Sequence, residues 1–368
     1  SKIFLDDPNL GDLEKKYLIK AIDTNFVSVV GPFVPEFEEK FAQYIGAEKA
    51  VSTQSGTAAL HMALYQLGIG EGDEVIVPAL TFIATINPVL FVGAKPVIVD
   101  VDPITWNIDP QEIKKAITKK TKAIIPVHLY GSVCNIDEII EIARENNLFV
   151  IEDATESLGA TYKDRQTGTF GDFGCFSFNG NKLITTGGGG MIVSNNQKKA
   201  EHIKFLVNQA RDASKGYYHP EVGFNYRMTN IEASLGLAQL ERIDKFLEKK
   251  RKFRKIYQEV FNDLPYIKFQ EESNNASGSW WLTCIEIDKN NIDIDNLKLK
   301  LKEKGIPTRR IFMSANEMPY LKKFSKPCPN AYEIYNQGIC LPSSTLNEEE
   351  DIRKAAINLK DILGKNKS

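Results

Sequence analysis

A lysine and an aspartate in the middle of the chain have side chains that could work together in a catalytic site. Lys182 stands alone in the segment "SFNGNKLITTGGGG" (177–190), where the chain is expected to turn. Asp153 follows the apolar run "NLFVI", so we expect it at the carboxyl end of a parallel strand, where open α/β sheets bind ligands. A lysine in such a cleft loses hydration, and its amine becomes a nucleophile for carbonyl groups. The alternative is that Asp153 only caps the segment after it.

The segment "STQSGTAALH" predicts an anion-binding site at the start of a helix. Its small and hydroxyl-bearing residues are Ser52, Thr53, Ser55, Gly56 and Thr57, and with pyridoxal phosphate as the anion Ser177 would join Ser55, Gly56 and Thr57. Gly56 lets the backbone approach closely, and the first turn of a helix offers N–H groups without intrahelical partners. Serine and threonine also cap helices that bind nothing, so this segment leaves both interpretations open.

One cofactor would use all of these groups together. Pyridoxal 5′-phosphate has an aldehyde for Lys182, a ring nitrogen that Asp153 would keep protonated, and a phosphate for the helix start. The glycines after Lys182 allow tight turning beside the amine, although a glycine hairpin before the next strand remains an alternative. The sequence therefore predicts a pyridoxal-phosphate enzyme in which Lys182 is the catalytic residue.

The order of predicted elements indicates an α/β fold in two parts. Between about residues 48 and 195, six short β-branched segments alternate with helical patterns, which predicts a mostly parallel central sheet flanked by helices. A long helical pattern then runs from Ile231 to about Phe261, followed by three short strand-like segments. We predict a large domain over residues 1–245, with an N-terminal segment that packs on a smaller C-terminal α+β domain over residues 246–368.

Composition excludes several other classes of protein. The formal net charge of −2 favours neither nucleic acid nor an anionic membrane as a partner, and no long apolar segment predicts a membrane span. The five cysteines form no CxxC pair and the four histidines have no paired spacing, so no metal site is predicted. We expect reduced thiols and a cytoplasmic protein. The basic run at 249–255 is expected to be a solvated helix face.

Several motifs in combination resemble the nucleotide-sugar aminotransferases of the DegT/DnrJ/EryC1/StrS family. They are "SGTAALH", "PALTFIATINPVLFVGAKPVIVDVD", "HLYG", "EDATESLGA", "GDFGCFSFNGNKLITTGGGGM" and "GFNYRMTNIEASLGLAQL". The resemblance extends from about Leu5 to the last helix. It implies a fold-type I pyridoxal-phosphate-dependent transferase, with pyridoxamine 5′-phosphate as the alternate form of the cofactor.

The resemblance also implies a role for each matching residue. Lys182 matches the Schiff-base lysine, Asp153 the partner of the ring nitrogen, and Phe82 the aromatic residue that stacks on the ring. The matches to the phosphate contacts are Ser55, Gly56, Thr57 and Ser177. Asn225 matches a residue that reaches the phosphate from the neighbouring subunit, which implies a homodimer with shared active sites. Glu156 stands where many members carry glutamine or histidine, and resembles the subset acting at C4 of 4-keto-6-deoxy sugars.

The implied reaction moves the amino group of L-glutamate, which leaves as 2-oxoglutarate, to the 4-keto carbon of a nucleotide sugar. The segments "SFNGNK" and "LPSS" are most similar to members that aminate UDP-4-keto-6-deoxy-N-acetylglucosamine for bacillosamine or legionaminic acid. GDP-linked perosamine synthases, which aminate GDP-4-keto-6-deoxymannose, are the alternative. Candidate substrate contacts are His128 and His219 for the sugar, and Arg309 and Arg310 for the diphosphate.

Three other functions remain as alternatives. Pyridoxamine-dependent sugar dehydratases of this fold carry histidine in place of the lysine, so Lys182 argues against that class. An amino-acid aminotransferase would need an arginine for the substrate carboxylate, for which Arg211 and Arg227 are candidates. A non-catalytic or regulatory protein on the same scaffold would have no need of Lys182 and Asp153 together.

Overall fold

The computed structural model describes residues 2–289 and 292–365 and has a seven-stranded sheet at its centre. The helices are α1 (Asp12–Asp23), α2 (Phe33–Ile45), α3 (Gly56–Gln66), α4 (Asn87–Phe91), α5 (Pro110–Ala116), α6 (Ile136–Glu145), α7 (Gln197–Leu206), α8 (Asn230–Glu241), α9 (Ile243–Val260), α10 (Ile294–Glu303), α11 (Pro329–Gln337) and α12 (Glu349–Lys365). The strands are β1 (Lys49–Thr53), β2 (Glu74–Pro78), β3 (Lys95–Val99), β4 (Thr121–Ile124), β5 (Phe149–Asp153), β6 (Thr161–Tyr162), β7 (Arg165–Gln166), β8 (Phe173–Ser177), β9 (Gly190–Ser194), β10 (Ile267–Phe269), β11 (Ala276–Ser277), β12 (Cys284–Ile287), β13 (Arg309–Arg310) and β14 (Gly338–Cys340). No helix within these ranges is both long and apolar enough to span a membrane.

The central sheet has the order β1-β9-β8-β5-β4-β2-β3. Strands β8, β5, β4, β2 and β3 are parallel, whereas β9 is antiparallel to both β1 and β8. All five residues of β2 are buried, as expected for a strand covered by helices on both faces. The prediction of a mostly parallel sheet flanked by helices is confirmed, and each of the six predicted strand segments lies in this sheet.

A second sheet, with the order β10-β12-β14-β13, is entirely antiparallel. Its core contains Phe253 of α9, Leu301 of α10 and Leu359 of α12, and Ile3 from the start of the chain packs into the same cluster. This arrangement is compatible with a smaller C-terminal α+β unit on which the N-terminal segment packs. The boundary at residues 245 and 246 stays a prediction.

The long helical pattern predicted between Ile231 and Phe261 is helical in the structure, but it is divided into two helices. The chain forms two helices, α8 and α9, which meet at Arg242. Arg242 is the one residue between the two helices, with φ −102° and ψ −2°, and its guanidinium donates to the Asn9 carbonyl and to the Glu14 carboxylate. The break therefore coincides with a contact that ties this corner to the N-terminal segment.

The basic run 249–255 has one buried side, so its prediction as a solvated helix face was only half right. Lys250 is buried and donates to the backbone carbonyls of Trp281 and Ser343, at 2.8 and 2.6 Å. Arg254 is also buried, with its guanidinium 3.6 Å from the ring centroid of Trp280. This side of α9 therefore fixes the segment that carries the two tryptophans.

Glu152, at the end of β5, joins the sheet to the loop that precedes β8. Its carboxylate is fully buried and accepts from three backbone N–H groups at 2.8 to 2.9 Å. Those groups belong to Gly168, Phe170 and Gly171. His128 completes the set with its Nε2 2.9 Å from Glu152, while its Nδ1 accepts from the N–H of Cys134. Because Nδ1 is an acceptor, the ring is neutral and donates from Nε2.

We predict that Glu152→Gln destabilises the fold by about 2–3 kcal/mol, because an amide NH₂ would face backbone N–H groups that lose their acceptor. Chemical denaturation monitored by circular dichroism measures this change. The matched control is Glu145→Gln on the exposed surface of α6, which should leave the free energy of unfolding unchanged. Equal stability of the two variants would contradict the role assigned to Glu152.

Candidate active site

A cavity of about 440 Å³ lies at the carboxyl end of β5 and brings together most of the predicted site residues. The predicted residues that line it are Ser55, Gly56, Thr57, Phe82, Asp153, Ser177, Lys182 and Arg309. Other lining residues include Thr85, Thr155, Asn181, Trp281 and Phe312. The cavity therefore joins the start of α3, the end of β5 and the turn that carries Lys182.

Asp153 is held at the floor of the cavity by two threonines. One carboxylate oxygen accepts from the hydroxyl of Thr85 at 2.6 Å, and the other accepts from the hydroxyl and the N–H of Thr155, at 2.6 and 3.2 Å. The side chain is buried, so these donors compensate for its lost hydration. The carboxylate can thus stay negatively charged beside a protonated ring nitrogen.

The start of α3 forms a cradle in which backbone atoms approach closely. Ser55 caps the helix, and its hydroxyl accepts from the N–H of Ala58 at 3.0 Å. A Cβ on Gly56 would lie 2.9 Å from the Cβ of Ser177, and a Cβ on Gly190 would lie 2.5 Å from the carbonyl carbon of Ser55. Gly189 has a φ of +122°, which a residue with a side chain rarely adopts. These glycines let β8 and β9 pack tightly against the start of α3, whose first-turn N–H groups can bind an anion such as the predicted phosphate.

Lys182 lies between carboxylates on one side and an indole ring on the other. Its Nζ is 3.9 Å from the ring centroid of Trp281, whose indole N–H donates to the backbone carbonyl of Asn181 at 2.6 Å. Burial lowers the pKa of Lys182, although the negative charges of Glu156 and Asp153 oppose this shift. A lower pKa favours the free amine, which is the form that bonds to a carbonyl carbon and accepts a proton.

Glu156 is a buried carboxyl group beside this amine. Burial raises its pKa to about 7, with a further contribution from Asp153 and an opposing one from Lys182. It accepts a hydrogen bond of 3.1 Å from the backbone N–H of Tyr130. Tyr130 has a φ of +54°, an uncommon value for a residue with a side chain. The backbone of Tyr130 therefore adopts an unfavourable conformation in which its N–H donates to Glu156.

Aromatic rings form one wall of the cavity. Phe82 is 54% exposed, and its ring centroid lies 5.8 Å from that of Phe312. Phe312 stacks on Tyr130 at 5.1 Å, and its N–H donates to the hydroxyl of Tyr130. The exposure of Phe82 inside a cavity is compatible with its predicted role as a ring-stacking residue, which stays a prediction.

The substrate contacts predicted from the sequence fall in different places. Arg309 lines the cavity, but Arg310 projects from the other face of β13 and pairs with Asp295 at 2.9 Å. His128 is fully buried in its contacts with Glu152 and Cys134, so it is no longer a candidate for the sugar pocket. His219 is exposed and outside the lining residues, with its Nδ1 2.8 Å from the Gln209 carbonyl oxygen.

Asn225 is exposed and does not line the cavity within a single chain. The segment that carries it is nevertheless close, because the carbonyl of Tyr226 accepts from the N–H of Gln54, a lining residue. The predicted contact of Asn225 with the site of a neighbouring subunit stays a prediction.

Sequence reasoning missed several residues of the site. Thr155 could have been found, because a threonine two residues after a buried aspartate is well placed to donate to it. Thr85, Trp281 and Asp6, whose carboxylate accepts from Arg309, gave no comparable signal. Each of them is distant along the chain from the residue that it contacts. Across residues 2–289 and 292–365, no cluster of three or more histidine, cysteine, aspartate or glutamate side chains could hold a metal ion.

Known proteins resemble this chain in sequence and in structure. The GDP-perosamine synthase of Escherichia coli O157:H7 is 42% identical over 345 residues, which cover 93% of this chain and 94% of that protein. The GDP-perosamine synthase of Caulobacter vibrioides is 40% identical over 370 residues, covering 98% of each. The PLP form of Spr1654 from Streptococcus pneumoniae superposes with a TM-score of 0.93 over 99% of each chain, at 26% identity.

The structural likeness confirms the predicted fold class, and it extends over almost the whole chain. A sequence profile described as the DegT/DnrJ/EryC1/StrS aminotransferase family matches residues 8–360. This chain therefore belongs to the DegT/DnrJ/EryC1/StrS aminotransferase family.

Proposed function

We propose that this protein transfers the amino group of L-glutamate to the 4-keto carbon of a nucleotide-linked 4-keto-6-deoxy sugar. The observation that carries the proposal is the single cavity in which Lys182, Asp153 and the start of α3 meet. The chain belongs to a family of sugar aminotransferases, and its cofactor is pyridoxal 5′-phosphate. A non-catalytic protein would not need a partly dehydrated lysine, a buried aspartate and a phosphate cradle in one cavity.

Each part of the cofactor has a group of the chain to hold it. When bound, pyridoxal 5′-phosphate supplies an electron-accepting ring that makes the carbon beside the transferred amine acidic. Asp153 would hold the proton of the ring nitrogen, and Phe82 would cover one face of the ring. The phosphate would be held by Ser55, Gly56, Thr57 and Ser177, with positive charge from the start of α3.

Lys182 would serve as nucleophile and as the group that moves protons. Its lowered pKa provides a free amine, which can take a proton from the donor's α-carbon and return it on the cofactor side. The same amine would run the transfer in reverse when the keto sugar replaces the keto acid. The indole of Trp281 shields this amine from water on one side.

The names of the relatives favour the GDP-linked alternative over the UDP-linked sugar that motif likeness predicts. Proteins named GDP-perosamine synthase match at 42, 40 and 39% identity. GDP-4-keto-6-deoxymannose is therefore the first acceptor to test. UDP-4-keto-6-deoxy-N-acetylglucosamine is the second, on the motifs around Lys182 and at 341–344.

The proposal includes a homodimer in which Asn225 reaches the phosphate of the neighbouring subunit. Exposed apolar side chains support an interface near this segment: Tyr217 is 86% exposed and Val222 70% exposed. Contiguous exposed apolar patches commonly mark interfaces, so partial burial of these two side chains in a dimer would support the proposal.

Lys182→Ala should abolish the visible absorption band of lysine-bound cofactor and all turnover, because no other group can form that bond. Absorption spectra of wild type, Lys182→Ala and the exposed-surface control Lys119→Ala, before and after L-glutamate, measure this. In wild type and control, L-glutamate should remove the band. A band that persists in Lys182→Ala would show that another lysine is the nucleophile.

Glu156→Gln should stabilise the cofactor-free protein above pH 7 and have little effect near pH 4.5. The folded-state pKa of about 7 exceeds the ordinary 4.5, so the folded state alone holds the proton between these values. Wild-type stability therefore falls as pH rises through this window, by roughly 3 kcal/mol in total, and the variant avoids this loss. Thermal unfolding from pH 4.5 to 8 measures the difference, with the exposed Glu303→Gln as control. If the difference in stability between wild type and Glu156→Gln did not change with pH, the pKa of Glu156 would not be raised by folding.

Turnover with the two keto sugars separates the two acceptors. We expect a higher kcat/KM for GDP-4-keto-6-deoxymannose than for UDP-4-keto-6-deoxy-N-acetylglucosamine, measured with L-glutamate as donor by chromatography of the amino-sugar products. A preference for the UDP-linked sugar would restore the motif-based prediction. Turnover of neither sugar, with the first half-reaction intact, would require a different acceptor.

A further inference from the structure

Arg309 presents part of its guanidinium to the cavity without a partner. Its Nη1 donates to the Asp6 carboxylate at 2.6 Å. Within the described parts of the chain, this is the hydrogen bond that the guanidinium makes. Its side chain is 40% exposed and lines the same cavity as Lys182. The positive charge is close enough to contribute to the lowered pKa of Lys182. The edge formed by Nε and Nη2 is thus free for a ligand beside the reacting amine.

Asp6 is fixed in place independently of any ligand. It is buried, and the oxygen that accepts from Arg309 also accepts from the side-chain amide of Asn181 at 3.0 Å. Asn181 in turn accepts the indole N–H of Trp281 at its backbone carbonyl, next to Lys182. Arg309 is therefore oriented by the same contacts that position the amine and its indole cover.

We propose that the free edge of Arg309 binds a carboxylate of the amino donor and of the keto acid that it becomes. This inference rests on the proposed function and deepens it, because it assigns the donor subsite. The planar Nε–Nη2 edge matches the two oxygens of a carboxylate, and such pairs combine charge with two parallel hydrogen bonds.

A carboxylate fits this position better than the diphosphate that the sequence predicts for Arg309. Asp6 already neutralises much of the guanidinium charge, so a multiply charged diphosphate would face a carboxylate at close range. A single carboxylate needs only the edge that Asp6 leaves free. The position beside Lys182 also suits a small donor, whose carboxylates lie within a few bonds of the reacting nitrogen.

The Asp6–Arg309 pair accounts for the use of one cavity by two different substrates. The donor brings negative charge, whereas the sugar ring of the acceptor is uncharged. With Asp6 as a permanent partner, Arg309 is not left as an unpaired cation when the keto acid leaves and the sugar enters. The pair can therefore bind a carboxylate in one half-reaction without penalising the other.

Titration calorimetry of the holoenzyme with maleate, a dicarboxylate that lacks an amino group, tests this subsite without turnover. Arg309→Gln should weaken maleate binding by about 10- to 100-fold, the usual effect of losing a charge-assisted hydrogen bond. Arg310→Gln is the matched control, since it lies on the same strand but points away from the cavity. It should leave maleate affinity unchanged. Binding of GDP and UDP should be unchanged in both variants.

A kinetic measurement separates the two half-reactions. In Arg309→Gln, the concentration of L-glutamate needed to remove half of the lysine-bound cofactor absorption should rise by the same factor. The concentration dependence on keto sugar, measured from the pyridoxamine-phosphate form, should be unchanged. Unchanged maleate binding in Arg309→Gln, or a loss of GDP and UDP affinity instead, would overturn the proposal.

A loss of maleate binding must be distinguished from a loss of folding, and the subsite from the proposed function. Arg309→Gln leaves Asp6 without its cation and could impair folding, so the double variant Asp6→Asn with Arg309→Gln removes both charges and should show the same loss of maleate binding. If wild-type protein binds maleate but L-glutamate does not change its spectrum, the proposed function fails, while the maleate titration still decides the subsite.

Discussion

The end of β5 is the point on which both the scaffold and the site depend, because neighbouring side chains of a strand point to opposite faces. Glu152 faces one side and accepts from three backbone N–H groups of the following loop. Asp153 faces the cavity, where two threonine hydroxyls hold its charge. Two successive residues thus anchor the loop before β8 and place a carboxylate in the cavity. A shift of the strand by one residue would exchange these two roles and disrupt both.

The pKa of Lys182 is set by a balance of opposing effects. Burial favours the neutral amine, while Asp153 and Glu156 favour the ammonium form. Glu156 itself carries a pKa near 7 because it is buried close to Asp153. Groups whose pKa values are shifted by burial and by one another are common in catalytic sites. Trp281 adds an apolar cover, and α9 fixes its position through the buried Lys250.

The residues that line the cavity come from distant parts of the chain. Most belong to the central sheet and its loops, whereas Arg309 and Phe312 come from the C-terminal part, and Asp6, near the N-terminus, accepts from Arg309. Because Asp6 also accepts from Asn181, next to Lys182, the N-terminal segment is tied both to Arg309 and to the turn that carries the amine.

The sequence by itself determined the alternating order of strands and helices and the family, and it predicted the cavity residues that lie at strand ends or helix starts. Those features are local: buried strands, a serine cap and a glycine run each have a pattern along a few residues. Tertiary structure decided the rest. His128 is buried in the interior, and Arg309 and Arg310 point to opposite sides of β13. The predicted long helix is divided at Arg242. Such outcomes depend on contacts between segments distant along the chain, which no local pattern encodes.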